Sequence, residues 1–177
     1  MFRHVGVCLA IAVLGGCATY AAPRYTVSAD DVISLRALGG KTVNVGKFTS
    51  TKPGLKEIAC RAVGPITTQD GEPFSEFIRR ALADELKIAG IYSTGASIVL
   101  TGNLNSIDFS SATGKWDLSL TVNSSNGKSL TATEDYNYAT SFAGVTACNQ
   151  TAQALMPAVQ NLIGKIVGNP KFKTLLD

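Results

Sequence analysis

Apolar residues fall at two spacings along this chain, and the spacing changes where Gly, Pro or Asn interrupts it. The clearest helical stretch opens at Pro73. Phe74, Phe77, Ile78, Ala81, Leu82 and Leu86 recur at steps of three and four, while Arg79, Arg80, Asp84, Glu85 and Lys87 take the opposite, solvent face. Proline suits a first turn, where an amide would go unpaired, and Gly90 supplies a left-handed stop. A second long helix is predicted over residues 146–167, with Cys148, Ala152, Leu155, Val159, Leu162, Ile163 and Ile166 on one stripe. Pro157 inside it removes a backbone hydrogen bond and should kink the axis, at roughly 3 kcal/mol if nothing compensates; Gly168 ends it. Residues 30–38 read as a short helix behind Ser28 as N-cap, and Asn169-Pro170 opens a last turn that ends in Leu175 and Leu176.

Between the helices the period shortens to two. Residues 41–48 alternate and place Val43 and Val45 toward a core. Ile98, Leu100 and Leu104 share one phase and Ile107 and Phe109 the other, so a bulge near Asn105 or Ser106 is needed to bring all five to one face. Trp116, Leu118, Leu120 and Val122 alternate cleanly in the next strand. Asn126-Gly127 suggests a two-residue hairpin, yet that register sets Trp116 beside Asn137. A three-residue turn, Ser125-Asn126-Gly127, instead pairs Val122 with Leu130, Leu120 with Ala132 and Trp116 with Tyr136, and the apolar match favours it. It also puts Glu134 on the inward face opposite Leu118, where it must find a partner, reach the sheet edge or be protonated. Residues 49–71 hold no sustained period and read as a long loop, with at most a short extended piece at residues 63–67.

Strand, crossover helix, three antiparallel strands and a closing helix predict an α/β (α+β) two-layer sandwich. A mixed four-stranded sheet carries both main helices on one face, and its first two strands run parallel. The other face collects Thr101, Asn103, Ser119, Thr121, Thr131 and Thr133 and is either solvated or met by a partner.

The N-terminus changes the picture. Arg3 and His4 precede an apolar run over residues 5–14, and the run ends in Leu14-Gly15-Gly16-Cys17. The run is shorter than the roughly 20 residues a spanning helix needs. Charged start, apolar run, small pair and cysteine in that order resemble the lipobox of bacterial lipoproteins. The resemblance implies a signal peptide over residues 1–16, acylation at Cys17, and a palmitate-bearing protein anchored by its N-terminal lipid. A lipidated tether is expected over residues 17–28 and a single periplasmic domain over residues 29–177. Ala18, where an Asp would retain an enterobacterial lipoprotein in the inner membrane, points by the same analogy to the periplasmic face of the outer membrane.

Composition then narrows the chemistry. The net charge of +3 becomes +2 once Arg3 leaves with the signal, too little to argue for nucleic acid. The single histidine, His4, leaves too, and with it imidazole-based acid–base catalysis, Ser-His and Cys-His nucleophiles and the commonest metal ligand. Cys8 is lost and Cys17 is the lipid site, so Cys60 and Cys148 remain. In an exported, oxidising setting one bridge between them is the economical reading, and two free buried thiols are the alternative. No Gly-rich phosphate loop or metal-ligand spacing appears, and neither a cofactor nor a metal is expected.

The Leu-Gly-Gly-Cys start, the Phe74-Ser75-Glu76-Phe77 helix running to Ala89-Gly90, the strand with Asp108, the Asn126-Gly127 hairpin, the Tyr136 strand and the final turn from Phe172 to Leu176 resemble YajG-type bacterial outer-membrane lipoproteins. No catalytic residues come with that resemblance; Cys60, Cys148 and Pro157 depart from it. The expected role is a non-enzymatic accessory or scaffold that presents its domain to an envelope protein. The alternative is a binder or carrier of a lipid or peptidoglycan fragment, with a cleft lined by Phe74, Phe77, Trp116 and Tyr136; tight packing of these rings would count against it. A third class, an enzyme using paired carboxylates, would draw on Asp108, Asp117, Glu134 and Asp135, but alternation splits Glu134 from the others across the sheet.

Overall fold

The computed structural model describes residues 19–39 and 41–177. Its fold is α+β, with two sheets and helices packed against them. The larger sheet is built from β2 (Asn44–Ser50), β5 (Val99–Ser110), β6 (Lys115–Ser124) and β7 (Ser129–Asn137), adjacent in that order. The smaller one contains β1 (Tyr20–Ala22), β3 (Glu57–Cys60) and β4 (Gly64–Thr68), with β4 in the middle. The helices are α1 (Ala29–Ala37), α2 (Phe74–Ala89), α3 (Gly144–Val167) and the one-turn α4 (Phe172–Leu175).

The larger sheet follows its sequence pattern closely. β2 and β5 pair in parallel, as a crossover through α2 requires. A bulge lies between Leu104 and Ser106, so Leu104 and Ile107 both face the core. The three-residue turn forms, with Gly127 at φ 86° and Trp116 opposite Tyr136, Leu120 opposite Ala132 and Val122 opposite Leu130. Trp116, Leu118, Leu120 and Val122 are accordingly buried. Close approach fixes a glycine in this sheet: a Cβ on Gly102 would stand 2.5 Å from the Phe48 ring that lies over it.

α2 ends at Gly90 in the left-handed region, φ 81°. Ser28 caps α1, accepting from the amide of Asp31. α3 continues unbroken through Pro157; the carbonyl deprived of its amide partner belongs to Gln153, an exposed position where water can replace it. α3 buries a wider arc than its predicted stripe, including Ala147, Thr151, Ala154 and Ala158, because it packs against β6 and β7 and also against β1 and β4.

Three expectations need correction. Residues 17–28, expected as a tether, include a strand of the fold: Tyr20–Ala22 pairs in parallel with Ile66–Thr68 and both Tyr20 and Ala22 are buried. Residues 49–71 are not a loop with one extended piece but carry the β3–β4 hairpin, which with β1 makes the second sheet. Pro65 argues against a central strand, yet β1 pairs with β4 only from Ile66 onward, so at Pro65 the strand has one neighbour rather than two. Finally, Glu85 is not on a solvated face but fully buried, because α1 and the segment leading into it cover that side of α2.

Candidate functional site

The chemistry-bearing residues gather where the smaller sheet meets the start of α3. Cys60 closes β3 and Cys148 lies in the second turn of α3; their Cα atoms are 5.9 Å apart and their sulfurs are bonded. A bridge of this kind suggests an extracytoplasmic, oxidising setting. Both cysteines are buried. The β3–β4 turn that follows carries Arg61 and Ala62 at φ 46° and 53°, left-handed values that cost non-glycine residues on the order of 1–2 kcal/mol each. Arg61 offsets part of that cost. Its guanidinium donates to Ser111 Oγ at 2.9 Å, to the Ser111 carbonyl at 2.6 Å, and to the Ser141 and Phe142 carbonyls at 3.0 Å each. One side chain thus ties three loops together. Sequence reasoning missed it, since a lone arginine in an aperiodic stretch gives no signal of where its donors go.

Beside Arg61 the chain stays open to solvent. Phe142 is fully exposed and Val145, at the start of α3, is 62% exposed.

A second cluster lies between α1 and α2. Tyr25 donates to Glu85 Oε1 at 2.6 Å and the Ser28 amide donates to the same oxygen at 2.7 Å, while Glu85 Oε2 has no partner. Asp31 stands nearby, 7% exposed with Oδ2 unpartnered, against Gly164, where a Cβ would come within 2.9 Å of Oδ1. Burial raises the pKa of Glu85, and burial together with the charges of Glu85 and Asp30 pushes Asp31 up to about 6. Because folding raises the Asp31 value, its contribution to stability is fully present below the unfolded value of about 3.9 and is lost as pH rises through about 6. Asp31→Asn, which cannot ionise, should therefore stabilise the protein at about pH 7.5, by on the order of 1–2 kcal/mol, and lose that advantage near pH 4. Urea melts at the two pH values check this; an equal effect at both would show that the carboxylate charge is not the cause.

The other sequence-predicted residues are placed as follows. Cys17 and its preceding Leu14, Gly15 and Gly16 lie outside the described residues. Asp117 and Asp135 face each other on the outer sheet face, where Lys115 Nζ bridges them at 2.5 and 3.3 Å, and Asp108 opposes Asp117 on the other side. Glu134 points inward and finds Lys165 at 2.6 Å and Asn161 at 3.2 Å. The carboxylates are thus divided between two faces. Polar residues of the outer face bond to one another across all four strands, from Thr49 to Asn103, Asn103 to Asn105, Asn105 to Thr121 and Thr121 to Thr131.

Phe74 and Trp116 are fully buried and Phe77 nearly so; Trp116 donates to the Thr151 carbonyl at 2.9 Å and its ring lies 4.9 Å from that of Phe109. These rings form core, not the wall of a cleft. Phe77 also edges a small cleft of about 80 Å³, but its Arg24, Asp70, Glu72 and Arg80 are already joined in ion pairs, and it is well below the roughly 300 Å³ of an ordinary ligand site.

The architecture defines the class: an α+β domain of two mixed sheets joined through a long helix and a disulfide. The same fold is found in the crystal structure of protein XCC0632 from Xanthomonas campestris, of the family model DUF330. It superposes with a TM-score of 0.53 at 11% identity, over 85% of this chain and 95% of that one. At that identity the likeness concerns fold alone. No family model matches the sequence, and no curated protein matches it.

Proposed function

We propose that this protein is a lipid-anchored lipoprotein of the bacterial cell envelope, acylated at Cys17 and held at the periplasmic face of the outer membrane. There it serves as a non-enzymatic accessory or scaffold that presents its folded domain to an envelope protein. The observation that carries this reading is the order of charged start, apolar run and Leu14-Gly15-Gly16-Cys17. Among the described residues no helix is long and apolar enough to cross a membrane. The Cys60–Cys148 bridge is consistent with an exported domain. The resemblance to YajG-type lipoproteins supports the same role.

Anchoring by two or more acyl chains makes release from the bilayer negligible, since each buried methylene contributes about 0.8 kcal/mol. The start of the fold at Tyr20 gives the anchor a second property: it is short. Only Ala18 and Thr19 lie between Cys17 and Tyr20, three Cα–Cα steps that reach at most about 11 Å when fully extended, so the domain is held against the membrane surface.

The test is Cys17→Ser in the full chain with palmitate labelling. The expected result is complete loss of label and accumulation of unprocessed precursor, and an undiminished label would overturn the anchor. Crosslinking in native membranes, followed by purification of the acylated protein, identifies the partner. A product containing only this chain or lipid would remove the scaffold role.

A further inference from the structure

The parallel register of β1 fixes the end of the domain from which the chain departs toward its N-terminus. Tyr20 sits opposite Ile66, and β4 begins at Gly64, directly after the β3–β4 turn. Continuing backward from Tyr20 therefore leads toward the turn that contains Arg61, Ala62 and Val63. That turn touches the loop before α3, through Arg61 on the Phe142 carbonyl and through Val63, which lies 3.4 Å from where a Cβ on Gly144 would stand. The exposed Phe142 and Val145 thus lie at the same end as the chain's departure.

The composition of this end is distinctive. Residues 58–65, 109–116 and 138–147, which supply its three loops, contain no Asp or Glu. Arg61 is exposed, bonds only to a hydroxyl and carbonyls, and among the described residues has no carboxylate partner. Two apolar side chains projecting beside a cation that has no carboxylate partner are what a bilayer surface of anionic headgroups over hydrocarbon accepts; the neighbouring acids Asp117 and Asp135 lie on the outer sheet face and are bridged by Lys115. A rim protein contact would not require the acids to be absent from all three loops. The loop is also held in place: the Arg61 bonds and the Cys60–Cys148 bridge fix the segment from which Phe142 projects.

We propose that the Arg61, Phe142 and Val145 tip is a membrane-contacting surface, which inserts its two apolar side chains among lipid headgroups beside the acylated N-terminus and sets the domain end-on to the bilayer. This rests on the acylation of Cys17 proposed above. The short link from Cys17 delivers the tip to the membrane, and the tip then fixes the orientation a single flexible attachment would leave free. The opposite end, where α2 runs out at the exposed Ile88, would face away from the bilayer.

The experiment uses the full-length acylated protein in phosphatidylethanolamine–phosphatidylglycerol vesicles with acyl chains brominated near the headgroup. Phe142→Trp and Ile88→Trp are compared with the unsubstituted protein, whose Trp116 is buried and supplies the baseline. Mass spectrometry first confirms the acyl group and the intact bridge, so folding and anchoring are established separately. The expected result is loss of the emission added by Phe142→Trp, with a blue shift, while the emission added by Ile88→Trp stays at its value in unbrominated vesicles. Acylated Phe142→Trp protein that is no more quenched than the baseline overturns the tip and leaves the anchor standing. Equal quenching at both positions overturns the end-on orientation. Absence of the acyl group overturns the anchor, and this inference with it.

Discussion

Removing the Cys60–Cys148 bridge lowers the unfolding free energy by about 4 kcal/mol, whether by reduction or by the double substitution Cys60→Ala with Cys148→Ala. The two cysteines are 88 residues apart in sequence, and closing a loop of that length removes much of the freedom of the unfolded chain. The loss is not spread evenly. The smaller sheet is made of strands of three to five residues, and its hairpin turn holds Arg61 and Ala62 in left-handed conformations. Such a sheet is marginal by itself. Without the bridge, the Arg61 bonds to Ser111, Ser141 and Phe142 are left to hold the turn against α3. Hydrogen exchange should then show amides of β3 and β4 losing protection before those of β5 and β6. Urea melts with and without reductant give the total; an unchanged midpoint on reduction would mean that packing alone holds the hairpin.

What the sequence made legible, and what it hid, follows from how each element is buried. β5, β6 and β7 bury one face and bare the other, so their period of two survives and decides even the turn at Gly127. Tyr20-Ala21-Ala22 is too short to show any period, and its partner strand lies more than forty residues away, so nothing local distinguished it from a linker. The hairpin at Cys60 is likewise short and has Pro65 within it. Glu85 was misplaced for a different reason. An amphipathic pattern assumes one buried face, whereas α2 is covered on one side by β2 and on another by α1, and the buried carboxylate is tolerated because Tyr25 and the Ser28 amide donate to it. Glu134, on a clean strand, could be recognised as needing a partner, but only the fold shows that Lys165 supplies it. Of the candidate site, the two cysteines were readable as a pair; the Arg61 staple and the exposed Phe142 beside it depend on three loops meeting, which no local pattern records.

Trp116→Ala should cost about 3–5 kcal/mol, and Trp116→Phe about 1 kcal/mol. The indole is fully buried, packs on Phe109 in the neighbouring strand and faces Tyr136 across the sheet, and its N–H satisfies the Thr151 carbonyl. Truncation leaves a cavity in a close-packed core, and the phenylalanine variant mainly loses the hydrogen bond. Thr151 also exchanges a hydrogen bond of 2.8 Å with the Tyr138 hydroxyl, so Trp116 joins β6 to the part of α3 that carries Cys148. For that reason the alanine variant and loss of the bridge should not add: each loosens the seating of the same helix turns, and the combined loss should fall short of the sum. The pair of substitutions also separates two readings of the aromatic residues. A tryptophan lining an open cleft for a lipid or glycan fragment could be truncated with little change in the urea midpoint, because one side of its ring would already face solvent. A core tryptophan cannot. A loss below about 1 kcal/mol in Trp116→Ala would reopen the cleft as a binding site, whereas a large loss with a small one in Trp116→Phe places the ring, and the start of α3 with it, in the rigid body that the bridge and Arg61 hold together.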